Sequence, residues 1–247
     1  MRFSLFTFQW KIHWIPLVIF IAVFSLLLRL GFWQLSRADE KELFLATQSL
    51  RLMEKPVSLT ELLKKPTEYR YRPVLLEGKY DSKHQLLVDN QIYMGKVGAF
   101  VMTPFIISNS ARVVLVNRGW VATDKARKLL PDISMPENNA EVSLVGIVNE
   151  FPSVGLILKG ADVASDGWPS VVQIVNTDKL TKKFEYLFYP FQVQLKADQA
   201  NGYIRDWKIN TRMPLEKHRA YAFQWFALAT TLFFLTLWIS CKTHKND

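Results

Sequence analysis

Four histidines are the first groups to weigh for chemistry: His13, His84, His218 and His244. None forms a His-x-x-x-His or His-Glu pair, so their spacing supports neither a zinc nor a di-iron site. The chain carries no Gly-x-Ser-x-Gly, no phosphate loop and no Gly-x-Gly-x-x-Gly, which leaves hydrolase and kinase chemistry without a motif. Acidic pairs such as Asp39-Glu40 read as solvated helix surface. Cys241 is the single cysteine. A thiolate metal site, a Cys nucleophile and a disulfide in the middle of the chain are therefore excluded. So is a Cys-x-x-Cys-His attachment, and any haem would be held without a covalent link.

His218 stands out by position, just before a long apolar run that opens at Tyr221. On a helix it shares a face with Tyr221, Ala222, Trp225 and Ala229. That face offers an imidazole, two aromatic rings and two small residues. Small residues leave room for a close neighbour, either another helix or a flat ligand. A neutral imidazole can ligate iron, and an aromatic ring can stack on a macrocycle. The same residues also suit the water–lipid boundary, with Tyr and Trp in the interfacial belt and His as a polar anchor.

A second candidate is Asn117-Arg118-Gly119-Trp120, at the close of an apolar strand. The glycine predicts a bend or bulge, with Arg118 and Trp120 displayed at the strand end. Arg and Trp are both interface formers, so a partner contact is one reading. A strand terminus carrying a surface aromatic is the other.

Two apolar stretches must position these groups. The first runs from Trp14 to Leu28 and continues past Arg29 to Trp33; the second runs from Tyr221 to Cys241 without a charge. Each approaches the roughly 20 residues that cross a bilayer. Trp14 and Trp33 would lie about 28 Å apart on a helix, one in each interfacial belt. The first run is longer than a signal-peptide core, and Gly31-Phe32-Trp33-Gln34 is a poor cleavage site, so the segment is expected to be retained. Only a short segment precedes it, which favours a bacterial inner membrane over an organelle-targeted protein. Lys and Arg flank both sides of each span, and the charge rule orients the chain only weakly. The expected layout is a cytoplasmic 1–13, a span at 14–33, a periplasmic domain at 34–217, a span at 218–241 and a cytoplasmic 242–247. Net charge is +9, scattered without a basic tract. That suits an anionic lipid surface and excludes a nucleic-acid arm.

The helix of the first span is predicted to continue past Gln34 through Leu35, Arg37, Lys41 and Leu45, all good helix formers. Ser58 to Glu61 has capping-box spacing and marks a short helix ending near Pro66. Strands are predicted at 69–80, 85–88, 97–107, 112–121, 142–148, 171–175 and 191–195, with an Asp89-Asn90 turn and a hairpin through Ser108-Asn109-Ser110. Short helices are predicted at 124–130 and 177–184. The fold class is thus a membrane protein with two terminal helices around an α+β domain. That domain is mainly antiparallel β, a barrel or a sandwich, with short peripheral helices.

Three blocks in this order resemble the surfeit locus protein 1 family, the Shy-type assembly factors of cytochrome c oxidase. They are Gly31 to Lys41, Val114 to Val121 and His218 to Ala229, with Arg72, Gly78, Tyr80 and Thr103-Pro104 between the first two. The resemblance covers most of the chain, and the two terminal spans match it. It implies a non-enzymatic assembly factor, a membrane chaperone that assists haem a insertion into oxidase subunit I. Subunit I, other oxidase assembly factors and the lipid membrane are the implied partners. His218 is the implied ligand to haem iron, with Trp225 and Tyr221 beside the macrocycle. Trp33, Gln34, Arg37, Arg118 and Trp120 are the implied partner contacts. A scaffold that stabilises an oxidase subunit without touching haem is the alternative. A tethered enzyme of the haem pathway is a third class, without an acid–base constellation to support it. Trp168-Pro169 matches the family pattern only loosely.

Overall fold

A computed structural model of the chain describes residues 14–64, 69–124, 129–135, 140–153, 159–207 and 213–243. Its elements are α1 (Trp14–Leu52), β1 (Val57–Ser58), α2 (Leu59–Leu62), β2 (Pro73–Tyr80), β3 (Leu86–Tyr93), β4 (Lys96–Ile107), β5 (Arg112–Ala122), β6 (Val142–Asn149), β7 (Ser170–Val172), α3 (Thr177–Phe184), β8 (Leu187–Leu195) and α4 (Leu215–Thr243). They form two compact units, a helical one of residues 14–47 and 213–243 and a β-rich one of residues 48–207.

In the helical unit, α1 continues far past its apolar half, as its run of helix formers predicts. Pro16 sits in the first turn, where no helical hydrogen bond is lost. Both α1 and α4 are long and apolar enough to cross a membrane. They pack against each other through rings: Phe24 on Phe233 at 6.3 Å and Phe32 on Phe226 at 5.2 Å. Gly31 makes the approach possible, because a Cβ there would meet the Phe226 ring at 2.6 Å.

The β-rich unit is a barrel. Strands run in the order β1-β2-β6-β8-β5-β4-β3-β7, and an added β2–β4 pairing closes a ring of β2, β6, β8, β5 and β4. The closing ladder is short: Gly78 opposite Ile107, Lys79 opposite Ile106 and Tyr80 opposite Phe105. Most pairings are antiparallel, but β1–β2, β3–β7 and β5–β8 are parallel. Val74, Leu76, Phe105, Val114, Val116, Leu144, Phe191 and Val193 share one core, joined by Leu59 and Leu62 of α2. Ser58 caps α2 by accepting the Glu61 N–H at 3.3 Å, the predicted box.

A second core lies on the other face of β5. Val113 and Leu115 pack there with Leu86, Met102 and Phe188, under Leu180 and Phe184 of α3. Helix α3 is placed by its ends: Asn176 accepts the N–H groups of Asp178 and Lys179, and Glu185 closes the helix at φ 60°. Leu180 and Phe184, one turn apart, then face the sheet. Strand β5 is consequently buried on both faces, a point that decides where Arg118 goes.

One local expectation needs correction. Asp89-Asn90 is a bulge inside β3, with Asn90 at φ 60° and a register shift between Val88 and Gln91. The chain reverses later, at Met94-Gly95, both left-handed. The predicted 124–130 helix falls largely outside the described residues.

Candidate functional site

The helical unit brings the first and third sequence blocks together. The Nδ1 of His218 lies 2.8 Å from Oε1 of Gln34. An amide oxygen only accepts, so Nδ1 is the donor and Nε2 carries the lone pair. The next residue, Arg219, pairs at 2.8 Å with Glu42, about two turns beyond Gln34 on α1. One to two turns inward, Phe226 packs on Gly31 and Phe32. The imidazole is therefore bracketed along the seam by an ion pair on one side and a ring contact on the other.

At about 100° per residue, His218 and Arg219 at the edges, with Phe226 and Phe233 between them, span the side of α4 that meets α1. Ala222 and Ala229 fall inside that arc and are buried. The small residues thus admit a helix, which is the first of the two neighbours their spacing allowed. Trp225 and Tyr221 lie on the flank of the seam next to His218. Trp225 is half-buried and Tyr221 is exposed. Any flat ligand at His218 must approach from this aromatic flank and not across the alanines.

Gln34 is a partner of His218, while its neighbours in the first block stay on the surface. Trp33 is exposed, and the Arg37 guanidinium lies 5.9 Å from its ring centroid. Arg37 also pairs with Glu40 at 2.6 Å. These two side chains keep an accessible aromatic–cation face.

Arg118 and Trp120 contradict the expectation that they point outward: they are only 3 % and 4 % exposed. The expected bulge is present, for Val101 pairs with Gly119 and Met102 with Asn117, leaving Arg118 as the extra residue. The bulge turns Arg118 inward because β5 is covered on both faces. Its Nε donates to Asn201 O at 2.7 Å, and Nη1 donates to Gln85 Oε1 at 2.8 Å. The guanidinium also lies 5.0 Å from the Tyr203 ring centroid. Burial lowers its pKa, opposed by Tyr203 and Tyr80. Trp120 donates from Nε1 to Gln91 O at 2.9 Å and packs over Gly98, where a Cβ would strike the indole. The backbone of this block pairs with the 203–204 segment through Tyr203 N to Arg118 O and Trp120 N to Ile204 O. Asn117 to Trp120 is a clasp that holds the chain after β8 onto the barrel.

A further cluster escaped the sequence reading. Asp81 accepts from His84 Nδ1 at 2.7 Å and from Tyr186 OH at 2.9 Å, both on Oδ2. The His84 ring meets Trp168 edge-on at 4.7 Å, and Lys183 lies over that indole. The Asp-x-x-His spacing was the only sequence signal for it, since Trp168 and Tyr186 arrive from distant segments.

Two tyrosines of the β-rich unit titrate late. Burial pushes Tyr80 up to about 12, with Arg118 and Arg205 pulling against it. Burial also pushes Tyr186 up to about 12, reinforced by its hydrogen bond to Asp81 and by that residue's charge. An unfolded tyrosine ionises near 10. The stability these protonated phenols confer is therefore complete below about pH 10 and is lost as pH rises toward 12. Absorbance titration at 295 nm should show a delayed class of tyrosines, with unfolding temperature falling across the same window. Tyr186→Phe should remove one residue from that class.

The chain resembles known proteins over most of its length. A model of the SURF1 family matches residues 21–230. A "SURF1-like protein" of Rickettsia felis is 24% identical over 220 residues, covering 87% of this chain and 92% of that one. One of Rickettsia conorii is 25% identical over 220 residues, covering 85% and 84%. The "Cytochrome oxidase assembly protein SHY1" of Saccharomyces cerevisiae is 28% identical over 113 residues, covering 44% and 29%.

Proposed function

Because this chain belongs to the SURF1 family, we propose that it is a non-catalytic factor for cytochrome oxidase assembly in a bacterial inner membrane. Its two membrane-spanning helices flank an extracytoplasmic domain. The breadth of the family match carries the assembly role, together with the name printed for the yeast relative. The finer reading is a chaperone that holds haem a for oxidase subunit I, with His218 as iron ligand.

The residues at this place fit a haem. Gln34 holds the proton on Nδ1, so Nε2 keeps its lone pair. Tyr221 and Trp225 offer rings on the accessible flank of the same helix. Trp225 lies two turns, about 10 Å, from His218, close to the width of a porphyrin. Lys217 stands at the polar end, where a carboxylate would be met by a cation. A bound haem would supply an iron that a neutral imidazole can ligate. His218 would hold it and Trp225 and Tyr221 would cover its ring, while Gly31 keeps the two helices close enough for Gln34 to reach His218.

Optical spectra of the purified full-length protein, loaded with haem a in detergent or nanodiscs, test this reading. His218→Ala should lose or shift the Soret band, and Trp225→Ala should weaken retention without changing ligation. Unchanged haem content and spectrum in His218→Ala would exclude the ligand assignment. The scaffold reading would then lead, supported by the alanine face already closed by α1 and by the exposed Trp33–Arg37 pair.

A further inference from the structure

We propose that Gln34 is a positioning residue that selects the tautomer of His218 and so makes Nε2 a ligand. The inference rests on the haem reading for its purpose, and on the hydrogen bond alone for its mechanism. Gln34 and His218 are 184 positions apart, joined only by the antiparallel pairing of α1 and α4. Oε1 of Gln34 offers lone pairs and no proton. Its 2.8 Å contact with Nδ1 therefore requires the proton on that nitrogen. Free neutral histidine prefers its proton on Nε2, which would present an N–H where an iron ligand needs a lone pair. Gln34 reverses that preference.

Three features make the placement specific. Gly31, one turn before Gln34, is a point of close approach, where any Cβ would enter the Phe226 ring. Phe24 on Phe233 and the Arg219–Glu42 ion pair fix the register further along the seam in both directions. The amide and imidazole meet between these contacts, where the partner geometry is held. Metal-binding imidazoles generally donate their second N–H to a fixed acceptor, and loss of that acceptor weakens binding about 10- to 100-fold. Glutamine is a neutral acceptor, which orients the ring without adding charge at the lipid boundary.

The test uses full-length protein with 15N-labelled histidine in nanodiscs at a pH where imidazole is neutral. Long-range proton–nitrogen spectra distinguish the two tautomers, and loss of a signal in His218→Ala assigns it. His218 should show the Nδ1–H pattern. Gln34→Leu should move it to the Nε2–H pattern or a mixture, and Gln34→Glu should keep Nδ1–H. A wild-type His218 with Nε2–H, or a tautomer indifferent to Gln34→Leu, overturns the proposal. On haem loading, Gln34→Leu should lose affinity about 10- to 100-fold. Gln34→Glu should retain affinity and lower the iron reduction potential, because a carboxylate draws the Nδ1 proton more strongly. Equal affinity and potential in all three proteins would also overturn it. If the tautomer responds as expected and no variant binds haem, the haem reading falls while the positioning of His218 stands.

Discussion

Arg118→Ala is expected to unfold the β-rich unit at a markedly lower temperature, not to disturb a surface. The guanidinium donates to Asn201 O and Gln85 Oε1, inside a site almost closed to water. Hydrogen bonds from a charged donor are worth roughly 1.5–3 kcal/mol each, and the carbonyl of Asn201 would lose its charged donor. A loss of about 3 kcal/mol follows, against a usual total of roughly 5–15 kcal/mol. For a domain of this size that corresponds to about 6–12 °C. Arg118→Lys should recover little, since an ammonium cannot reproduce the two-direction fork. Thermal unfolding of the purified protein measures this directly. A normal melting temperature combined with failed oxidase assembly would restore Arg118 to the role of a partner contact.

Gly78→Val should have the larger effect. Gly78 sits in the ladder that closes the ring, opposite Ile107 on one side and Val142 on the other. A Cβ there would lie 2.1 Å from Ile106 O, a backbone atom that cannot swing away. Relief requires β4 to leave β2 at a short junction of three ladder pairs flanked by the Ser108 N–Glu77 O and Asp81 N–Pro104 O hydrogen bonds. Overpacking alone costs about 1–3 kcal/mol, and opening the ring adds lost pairing and exposed core. The β signal in circular dichroism should fall, with a collapsed denaturant midpoint. Gly95→Ala is the control: its φ is +75° but nothing lies within 4 Å. Backbone strain there costs only about 1–2 kcal/mol. Comparable losses at the two sites would mean that strain, and not the closing contact, governs the result.

Local features of the fold were legible and distant ones were not. The 97–107 and 112–121 strands announced a hairpin because two runs rich in Val, Ile and Phe and the Ser108-Asn109-Ser110 turn are contiguous. Ser58 did the same for a short helix, through a side chain that caps within three residues. The parallel β5–β8 pairing left no trace, because Arg112 and Leu187 meet across most of the domain. The inward turn of Arg118 was hidden for a related reason. Its partners are Gln85, Asn201 and Tyr203, and no local pattern says that a segment more than 80 residues later will close over it. At the helix pair, His218 and its aromatic flank were visible from spacing, while Gln34 was read as a partner contact. What reassigns it is the register set at Gly31, a property of two helices and of neither alone.

The place of β8 in the ring also dictates when this domain can fold. It lies between β5 and β6 and pairs with both, yet it is the last strand synthesised. Until residue 195 has emerged, the edges of β5 and β6 that face β8 have no partner, although β2–β6, β2–β4 and β4–β5 can already pair. The Asn117–Trp120 clasp closes later still, on residues 203 and 204. Helix α4 begins at Leu215, so barrel completion and membrane entry of the second span fall almost together. Nascent chains of this protein therefore expose the β5 and β6 edges until β8 and the segment after it have emerged.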